Sequence, residues 1–433
     1  MLKRRGWIAL FLFVLSMINY MDRIALSIAA QPIAEEFKLD AVGMGYLFSS
    51  FIWSYALCLL PMGYLIDRFG SRRLASVGIA VWSAATLLTG AASSFAGLLT
   101  ARLVMGGGES SSNPVGAKVI RQWFPASERG TVTAMFNSGS YAGPAICSVL
   151  LGALVAAVGW RLSFVVAAGI GFVWLLAWLR WYDAPEAVGW LDEAERALIL
   201  AGRQAPAAAR PLPAHGLREL LRSPTLWGLA LTQGCNVYTQ YLFLTWLPSY
   251  LQATRHLSIA KTGMLSAVPY AVSVVLCIVA GWVSDRCLKA SGVAGGRRRN
   301  AVALALLCAA VVLAVPFVHD LWLLMAVFSV TLTGIASTTS LNFSLLNDLM
   351  PSGENVAKAM AFVVVGGNVF GMLAPIVTGY VVAATGAYDW AFGIAGLLLL
   401  LGVVFTLTLT RRPMSVNGPA SGDRPMAAAA GGL

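Results

Sequence analysis

Four ionisable residues stand inside otherwise apolar stretches of this chain: Asp22, Arg23, Arg102 and Glu109. Holding one such charge at the centre of a bilayer costs at least about 2.5–3.5 kcal/mol, and residues kept there usually face the protein interior and act on a ligand or an ion. Arg102 and Glu109 are seven positions apart. That is two helical turns, so both project from one face, separated by roughly 10 Å along the axis. Asp22 and Arg23 are adjacent, about 100° apart around a helix, so one can meet a neighbouring helix while the other meets a cavity. The arginines select for an anion. The carboxylates are groups whose protonation can be coupled to movement, because burial and a nearby arginine change a carboxylate's proton affinity in opposite senses. His215, His256 and His319 lie in loops or at helix ends, so buried proton sites would have to be Asp or Glu. The plainer alternative is a pair of structural salt bridges between two helices. Buried ion pairs are often no more stabilising than apolar contacts, which makes structure alone a weak reason to keep four charges.

The elements that must carry these residues follow from composition. Of 433 residues, 58% are hydrophobic and 11% charged. A soluble domain is about 25% charged, so most of this surface must face lipid. Apolar segments long enough to cross a bilayer fall near 7–30, 42–66, 74–93, 97–120, 131–157, 161–182, 224–252, 260–287, 300–318, 321–346, 355–384 and 388–410. Each backbone N–H in hydrocarbon needs a partner within its own segment, which makes these twelve segments helices. The short alternating segments of a membrane β-barrel are not seen. The expected architecture is all-α, with twelve transmembrane helices in two pseudo-symmetric six-helix bundles, 1–182 and 223–412. A polar linker, 183–222, joins them and is expected to be helical over 190–203. A Pro-, Gly- and Ala-rich tail, 413–433, is expected to be disordered.

Charge sets the orientation. The net charge is +11, but the basic residues cluster between apolar segments, which is the pattern of cytoplasmic loops and not of a nucleic-acid surface. With the N-terminus inside, 24 of the 30 Lys and Arg fall on the cytoplasmic side and four outside (Lys38, Arg161, Arg255, Lys261). Both termini are therefore expected to be cytoplasmic, in a bacterial inner membrane. Lys3-Arg4-Arg5 and the following apolar run lack a small-residue cleavage site and are read as an uncleaved first helix. The six cysteines (Cys58, Cys147, Cys235, Cys277, Cys287, Cys308) lie in or beside apolar runs with no C-x-x-C pair, as small helix hydrophobes do.

The halves resemble each other. Gly63-Tyr-Leu-Ile-Asp67-Arg68 recurs as Gly281-Trp-Val-Ser-Asp285-Arg286, Gly45 matches Gly263, and Pro125-Ala-Ser-Glu128 matches Pro351-Ser-Gly-Glu354. Internal repeats of this kind mark transporter folds with a site between the halves. The run Gly63-x-x-x-Asp67-Arg68-x-Gly70-x-Arg72-Arg73 resembles the signature loop of the major facilitator superfamily between its second and third helices. It places a carboxylate and several arginines around a tight turn. This reads as an inter-helix charge cluster holding one conformation, or simply as a headgroup anchor. A narrower resemblance rests on three features: Asn19-Tyr20-Met21-Asp22-Arg23-x-x-Leu26-Ser27, the aromatic run Ser49-Ser50-Phe51-Ile52-Trp53-Ser54-Tyr55, and Arg102-x₆-Glu109. Together they look like the anion:cation symporters, and within them the bacterial sugar-acid/proton symporters.

That resemblance implies roles. Arg23 would bind the substrate carboxylate, Asp22 and Glu109 would couple protons, and Arg102 would be their switching partner. Tyr20 and Tyr55 would line the substrate or merely pack, and Asn368 would meet a hydroxyl or bond another helix. The family pattern is broken at Ser140, where sugar-acid symporters tend to carry a longer amide. It is broken again at Asn236, where vesicular glutamate carriers have a second arginine, and this favours a monocarboxylate. The expected function is proton-coupled import of an organic anion, a sugar acid of aldonate, hexuronate or aldarate type, by alternating access. A carrier of aromatic or other carboxylates, an organic-anion exporter and a transporter-like sensor remain the alternatives. No enzymatic centre, metal or cofactor beyond the coupling proton is expected. The partners are a small organic anion and the lipid bilayer, and the chain is expected to act as a monomer.

Overall fold

The computed structural model describes residues 4–201, 220–289, 296–350, 356–412 and 414. Among them the secondary structure is helical: α1 (Gly6–Ile28), α2 (Ala30–Phe37), α3 (Ala41–Ala91), α4 (Phe95–Glu109), α5 (Ser112–Trp123), α6 (Ala126–Trp181), α7 (Glu193–Ala201), α8 (Pro224–Arg255), α9 (Ile259–Lys289), α10 (Arg297–Ala309), a 3₁₀ segment (Ala310–Phe317), α11 (Leu321–Leu349), α12 (Val356–Thr385) and α13 (Asp389–Leu409).

Nine helical segments among the described residues, two of them within α3, are long and apolar enough to cross a membrane. One of these, Ser127–Trp181, is 55 residues long, and it contains two passes because it breaks at Gly159 (φ 82°, ψ 165°). The 51-residue α3 breaks in the same way at Gly70 (φ 80°, ψ 164°). Only glycine adopts that backbone without strain, so each glycine turns the chain tightly between two antiparallel helices. Two more passes are not among these nine, one because its two pieces are only 15 and 12 residues long and the other because it is too polar. They are α4–α5, with Arg102 and Glu109, and α8, with Gln233, Asn236 and a series of Thr and Tyr. Twelve passes result, and the two least apolar ones line the site described below. Asp40, Ser94 and Asp320 cap helix starts by accepting from the N–H three residues on, which satisfies donors a helix end leaves free. Leucines and valines such as Leu57, Val173 and Leu397 cover the outside.

Two expected spans are not continuous helices. The ninth tightens from α10 into the 3₁₀ segment, which contains Pro316. The fourth is interrupted at Ser110–Ser111. Pro114 supplies no N–H to the Ser110 carbonyl and crowds it, which is what breaks a helix four residues upstream of a proline. The interruption falls directly after Glu109.

The halves meet along α6 and α9, α3 and α12, and α1 and α8. Their closest contacts lie on the side away from the termini. Ser27 Oγ donates to Leu244 O (2.6 Å) and Ser49 Oγ to Met372 O (2.7 Å). The Tyr46 and Tyr380 hydroxyls pair at 3.2 Å. The backbones also touch: a Cβ on Gly45 would lie 2.7 Å from Pro375 O, and one on Gly263 would lie 2.4 Å from Ser148 O. Toward the termini the ion pairs run within one half: Asp67 with Lys118 (3.0 Å), Arg72 with Asp183 (2.6 Å) and Arg298 with Asp348 (2.6 Å). There the Asp67 side chain is 81% exposed and Tyr64 65%. The conformation is closed on the far side.

Of the expected linker helix, Glu193–Ala201 is described, and residues 202–219 lie outside the described residues. So do Pro351–Glu354 of the second repeat and, apart from Met414, the tail. Asp285 and Arg286 lie on α9, but their side chains are outside the described residues.

Gly263→Leu should drive a side chain into the Ser148 carbonyl and prevent far-side closure. In a cysteine-free background carrying Tyr46→Cys and Tyr380→Cys, cross-linking across the far side is expected to fall severalfold in the Gly263→Leu protein. Unchanged cross-linking in folded protein would show that the glycine contact does not set the gate.

Candidate functional site

The four buried charges come together where α1, α3, α4 and α8 meet. Arg23 is 5% exposed and Glu109 0%. Arg23 Nε donates to Glu109 Oε2 at 2.9 Å, and Nη1 donates to the Tyr241 hydroxyl at 3.3 Å. The guanidinium also lies 4.6 Å from the Tyr20 ring centre, 4.9 Å from that of Phe51 and 5.2 Å from that of Tyr55. Three rings and a carboxylate thus replace the water that the cation left, each ring contributing an electrostatic attraction that strengthens on desolvation. Tyr241 belongs to the other half, so Arg23 touches both halves at once.

Local sequence explains the arrangement. Asn19, Tyr20 and Arg23 are spaced by three and four residues, so they lie on one stripe of α1. The Asn19 amide donates to Ser112 Oγ (3.3 Å) and the Asn113 amide to the Tyr55 hydroxyl (2.9 Å). Ser112 and Asn113 start α5, just past the Pro114-induced break. The break thereby frees two polar residues to orient the helices that carry Arg23 and Tyr55.

Arg102 and Asp22 form the second level. The Arg102 guanidinium lies 5.0 Å from the Phe51 ring centre, so that ring is shared by both guanidiniums. Its Nη1 lies 3.5 Å from the Asp22 backbone oxygen and 3.4 Å from Met105 Sδ, while its Nε has no partner among the described residues. Asp22 lies beside Thr86, and its Oδ1 is buried without a partner; so is Glu109 Oε1. Glu109 is paired with Arg23 of α1 and not with Arg102 of its own helix. The reason is length: two turns of α4 hold Arg102 and Glu109 too far apart to touch, and Arg23 reaches Glu109 from the side. Three of the four charges therefore retain an unpartnered buried polar atom.

The remaining candidates divide. Tyr20 and Tyr55 are at the site. Asn368 is mostly buried on α12 and its Nδ2 has no partner among the described residues. Ser140 is partly buried on α6, and its hydroxyl donates back to Asn137 O. The Asn236 amide nitrogen donates to Ile335 O (3.2 Å) and Thr339 Oγ1 (2.8 Å) of α11, while its Oδ1 has no partner among the described residues. The charges around Gly63 and Gly70 lie away from this site and tie helices within the first half, with Asp67 on Lys118, Arg72 on Asp183, and Arg68 beside Tyr64 and Phe69. Phe51, Asn113 and Tyr241 were not assigned from sequence. The unusual polarity of α8 is the signal that could have pointed to Tyr241.

Comparison with known proteins matches this geometry to a family. The family model described as Major Facilitator Superfamily matches residues 12–351 and 294–430. The chain belongs to the major facilitator superfamily. A member of it from Escherichia coli (strain K12), described as a probable galactarate/D-glucarate transporter, GudP, is 31% identical over 420 residues, covering 94% of this chain and 93% of that one. A probable L-galactonate transporter of the same strain is 32% identical over 416 residues, covering 95% and 90%. Among solved structures, a bacterial homologue of the human lysosomal transporter Spinster superposes with a TM-score of 0.75 at 18% identity, covering 94% and 97%. This major facilitator protein is a transporter and not an enzyme.

Glu109→Gln mimics the protonated acid. If Glu109 is a group that changes protonation, the variant should melt within a few degrees of the parent, still bind substrate and fail at net transport. A purely structural pair predicts otherwise. Stranding Arg23 would cost about 3–5 kcal/mol, and binding, transport and thermal stability would fall together. Melting curves, binding and uptake on the same preparation separate the two.

Proposed function

We propose that this transporter imports an organic monocarboxylate, a sugar acid, together with protons, by alternating access of its two halves. The observation that carries the reading is the Arg23–Glu109 pair, buried, ringed by Tyr20, Phe51, Tyr55 and Tyr241, and in contact with both halves. A substrate carboxylate offers the same two-oxygen partner that Glu109 does. Arginine's planar fork accepts either one with parallel hydrogen bonds. Substrate and Glu109 therefore compete for one cation. When the substrate wins, Glu109 is left buried and anionic without its partner, and taking a proton relieves that cost. Proton binding and anion binding are thereby linked. Asp22, beside Arg102, is the second acid of this cycle, and Arg102 holds it until its proton is exchanged.

The relatives named for galactarate, D-glucarate and L-galactonate support the sugar-acid class. The monocarboxylate is favoured because, of the two arginines buried at the site, Arg23 is the one that reaches the other half. Asn368, with its unpartnered Nδ2, Ser140, and Asn236, with its unpartnered Oδ1, take the role of hydroxyl partners. With both termini cytoplasmic, the far-side closure makes this an inward-facing conformation, in a bacterial inner membrane. The four aromatic rings around Arg23 also suit an aromatic carboxylate, which is the second reading.

Uptake of radiolabelled galactonate into proteoliposomes should follow an inward proton gradient, collapse with a protonophore and ignore sodium. Sodium-dependent uptake at a fixed pH gradient would refute proton coupling. Saturation by an aromatic acid with no effect of sugar acids would move the assignment to the second reading. Arg23→Lys should abolish or severely weaken binding, because an ammonium lacks the two-pronged donor geometry. Unchanged affinity in Arg23→Ala would remove the arginine from substrate recognition.

A further inference from the structure

On the side of the termini, a groove of about 640 Å³ runs along the first half, between the first turns of α1 and the last turns of α6. Trp7 and Phe11 of α1, Trp174 and Trp181 of α6, and Trp190 of the segment before α7 wall it. Trp7 is 64% exposed and Trp181 53%, so the groove opens on the outer surface, which faces lipid. Its wall is apolar except at the end nearest the N-terminus, where Arg4 is the only charged residue of the lining. An apolar cleft with a few placed polar groups is the usual form of a ligand site, and this one is turned toward the membrane.

The fold does not by itself call for these tryptophans. The last eight residues of α6 hold Trp174, Trp178 and Trp181, whereas the last eight of α13, the corresponding pass of the second half, hold one aromatic, Phe405. Trp174 and Trp178 stack at 5.0 Å, and Phe11 meets Trp174 edge-on at 5.7 Å. Two indole N–H groups fasten this floor: Trp174 donates to Phe11 O (3.2 Å) and Trp190 to Trp181 O (3.0 Å). Those of Trp7 and Trp181 make no hydrogen bond among the described residues. An indole with an apolar body and a free polar edge settles at the level of the lipid headgroups.

The two arginines that precede α1 are used differently. Arg5 is 2% exposed and is spent on Glu128 (2.6 Å) and Glu195 (3.7 Å). The Arg4 side chain is 54% exposed. Its Nη1 serves Trp190 O and Asp192 Oδ1 (3.1 Å), and its Nε and Nη2 have no partner among the described residues. An exposed ion pair is worth little, so this guanidinium can also take a phosphate, which its planar fork suits. Arg180, exposed one residue before Trp181, adds a second positive charge at this end of α6. We propose that the groove binds one phospholipid of the leaflet on the side of the termini, with a net negative headgroup. Its acyl chain lies along the tryptophans and its phosphate on Arg4. Basic side chains beside transmembrane helices hold anionic headgroups in this way. Bound there, the lipid joins the start of α1, the end of α6 and the segment leading to α7. Neither the substrate nor proton coupling enters into this assignment.

The test is native mass spectrometry of the purified full chain in detergent, with phosphatidylglycerol or phosphatidylcholine of matched acyl chains, and melting curves on the same samples. The parent is expected to retain one phosphatidylglycerol in preference to phosphatidylcholine and to melt higher with it. Arg4→Gln, which keeps a donor for Trp190 O, should lose roughly fivefold of that preference, the worth of one basic side chain at an anionic surface. Leu10→Trp fills the groove from its own wall and should weaken retention of either lipid. Arg121→Gln removes an exposed arginine that lies outside the groove, and should leave the preference unchanged. The proposal is overturned by a parent without preference, by a preference that Arg4→Gln leaves intact, by retention that Leu10→Trp leaves intact, or by an equal loss in Arg121→Gln.

Discussion

A guanidinium held away from water must always have a partner, and this constraint organises the molecule. Arg23 cannot be left alone between the halves: the desolvation cost of an isolated buried charge runs to several kcal/mol. In the conformation described it is held by Glu109, by the Tyr241 hydroxyl and by three rings. In the proposed cycle an anion that reaches it takes the place of Glu109, and departure of that anion brings Glu109 back. The pair is therefore weak evidence of stability and a natural element of exchange. Its worth lies in having two alternative partners of similar geometry.

The rest of the fold serves that exchange. The Pro114 break ends α4 at Glu109 and frees Ser112 and Asn113 to fix Asn19 and Tyr55. Phe51 attracts both arginines. Tyr241 ties Arg23 to the second half, so in the proposed cycle a change of partner at Arg23 is felt at the boundary that must move. On the far side the halves meet backbone to backbone through glycines and two serine hydroxyls. Large rings also meet there, Tyr46 with Tyr380 and Phe48 with Trp246. The loop charges at Asp67, Arg72 and Arg298 are paired within their own halves here. They brace each half as a body while the boundary between the halves changes.

Most of the fold was legible because the membrane leaves little choice. Twelve apolar segments, a polar linker and a loop rich in arginine around Gly70 suffice to name the architecture. What was not legible has identifiable causes. The interruption of the fourth helix turns on one missing N–H, at Pro114, within an apolar-looking span. The 3₁₀ end of the ninth helix likewise follows Pro316. The buried quartet could be picked out because charges are so rare inside these segments, but their pairing could not. Helical spacing relates Arg102 to Glu109 on one helix and is blind to Arg23 reaching across from another. Asn236 was chosen by alignment with a family position, and its side chain is turned to α11 by hydrogen bonds that no spacing reveals. Tyr241 lies among many polar residues of α8, and only the packing of the two halves brings it to Arg23.

The central claim is that substrate and Glu109 exchange on Arg23 and that a proton follows. Calorimetric titration of galactonate in buffers of different ionisation enthalpy counts the protons taken up on binding. The account predicts uptake approaching one proton per substrate at neutral pH, with affinity rising as pH falls, and loss of that uptake in Glu109→Gln while binding persists. Binding without proton uptake, or uptake unchanged in Glu109→Gln, would contradict it.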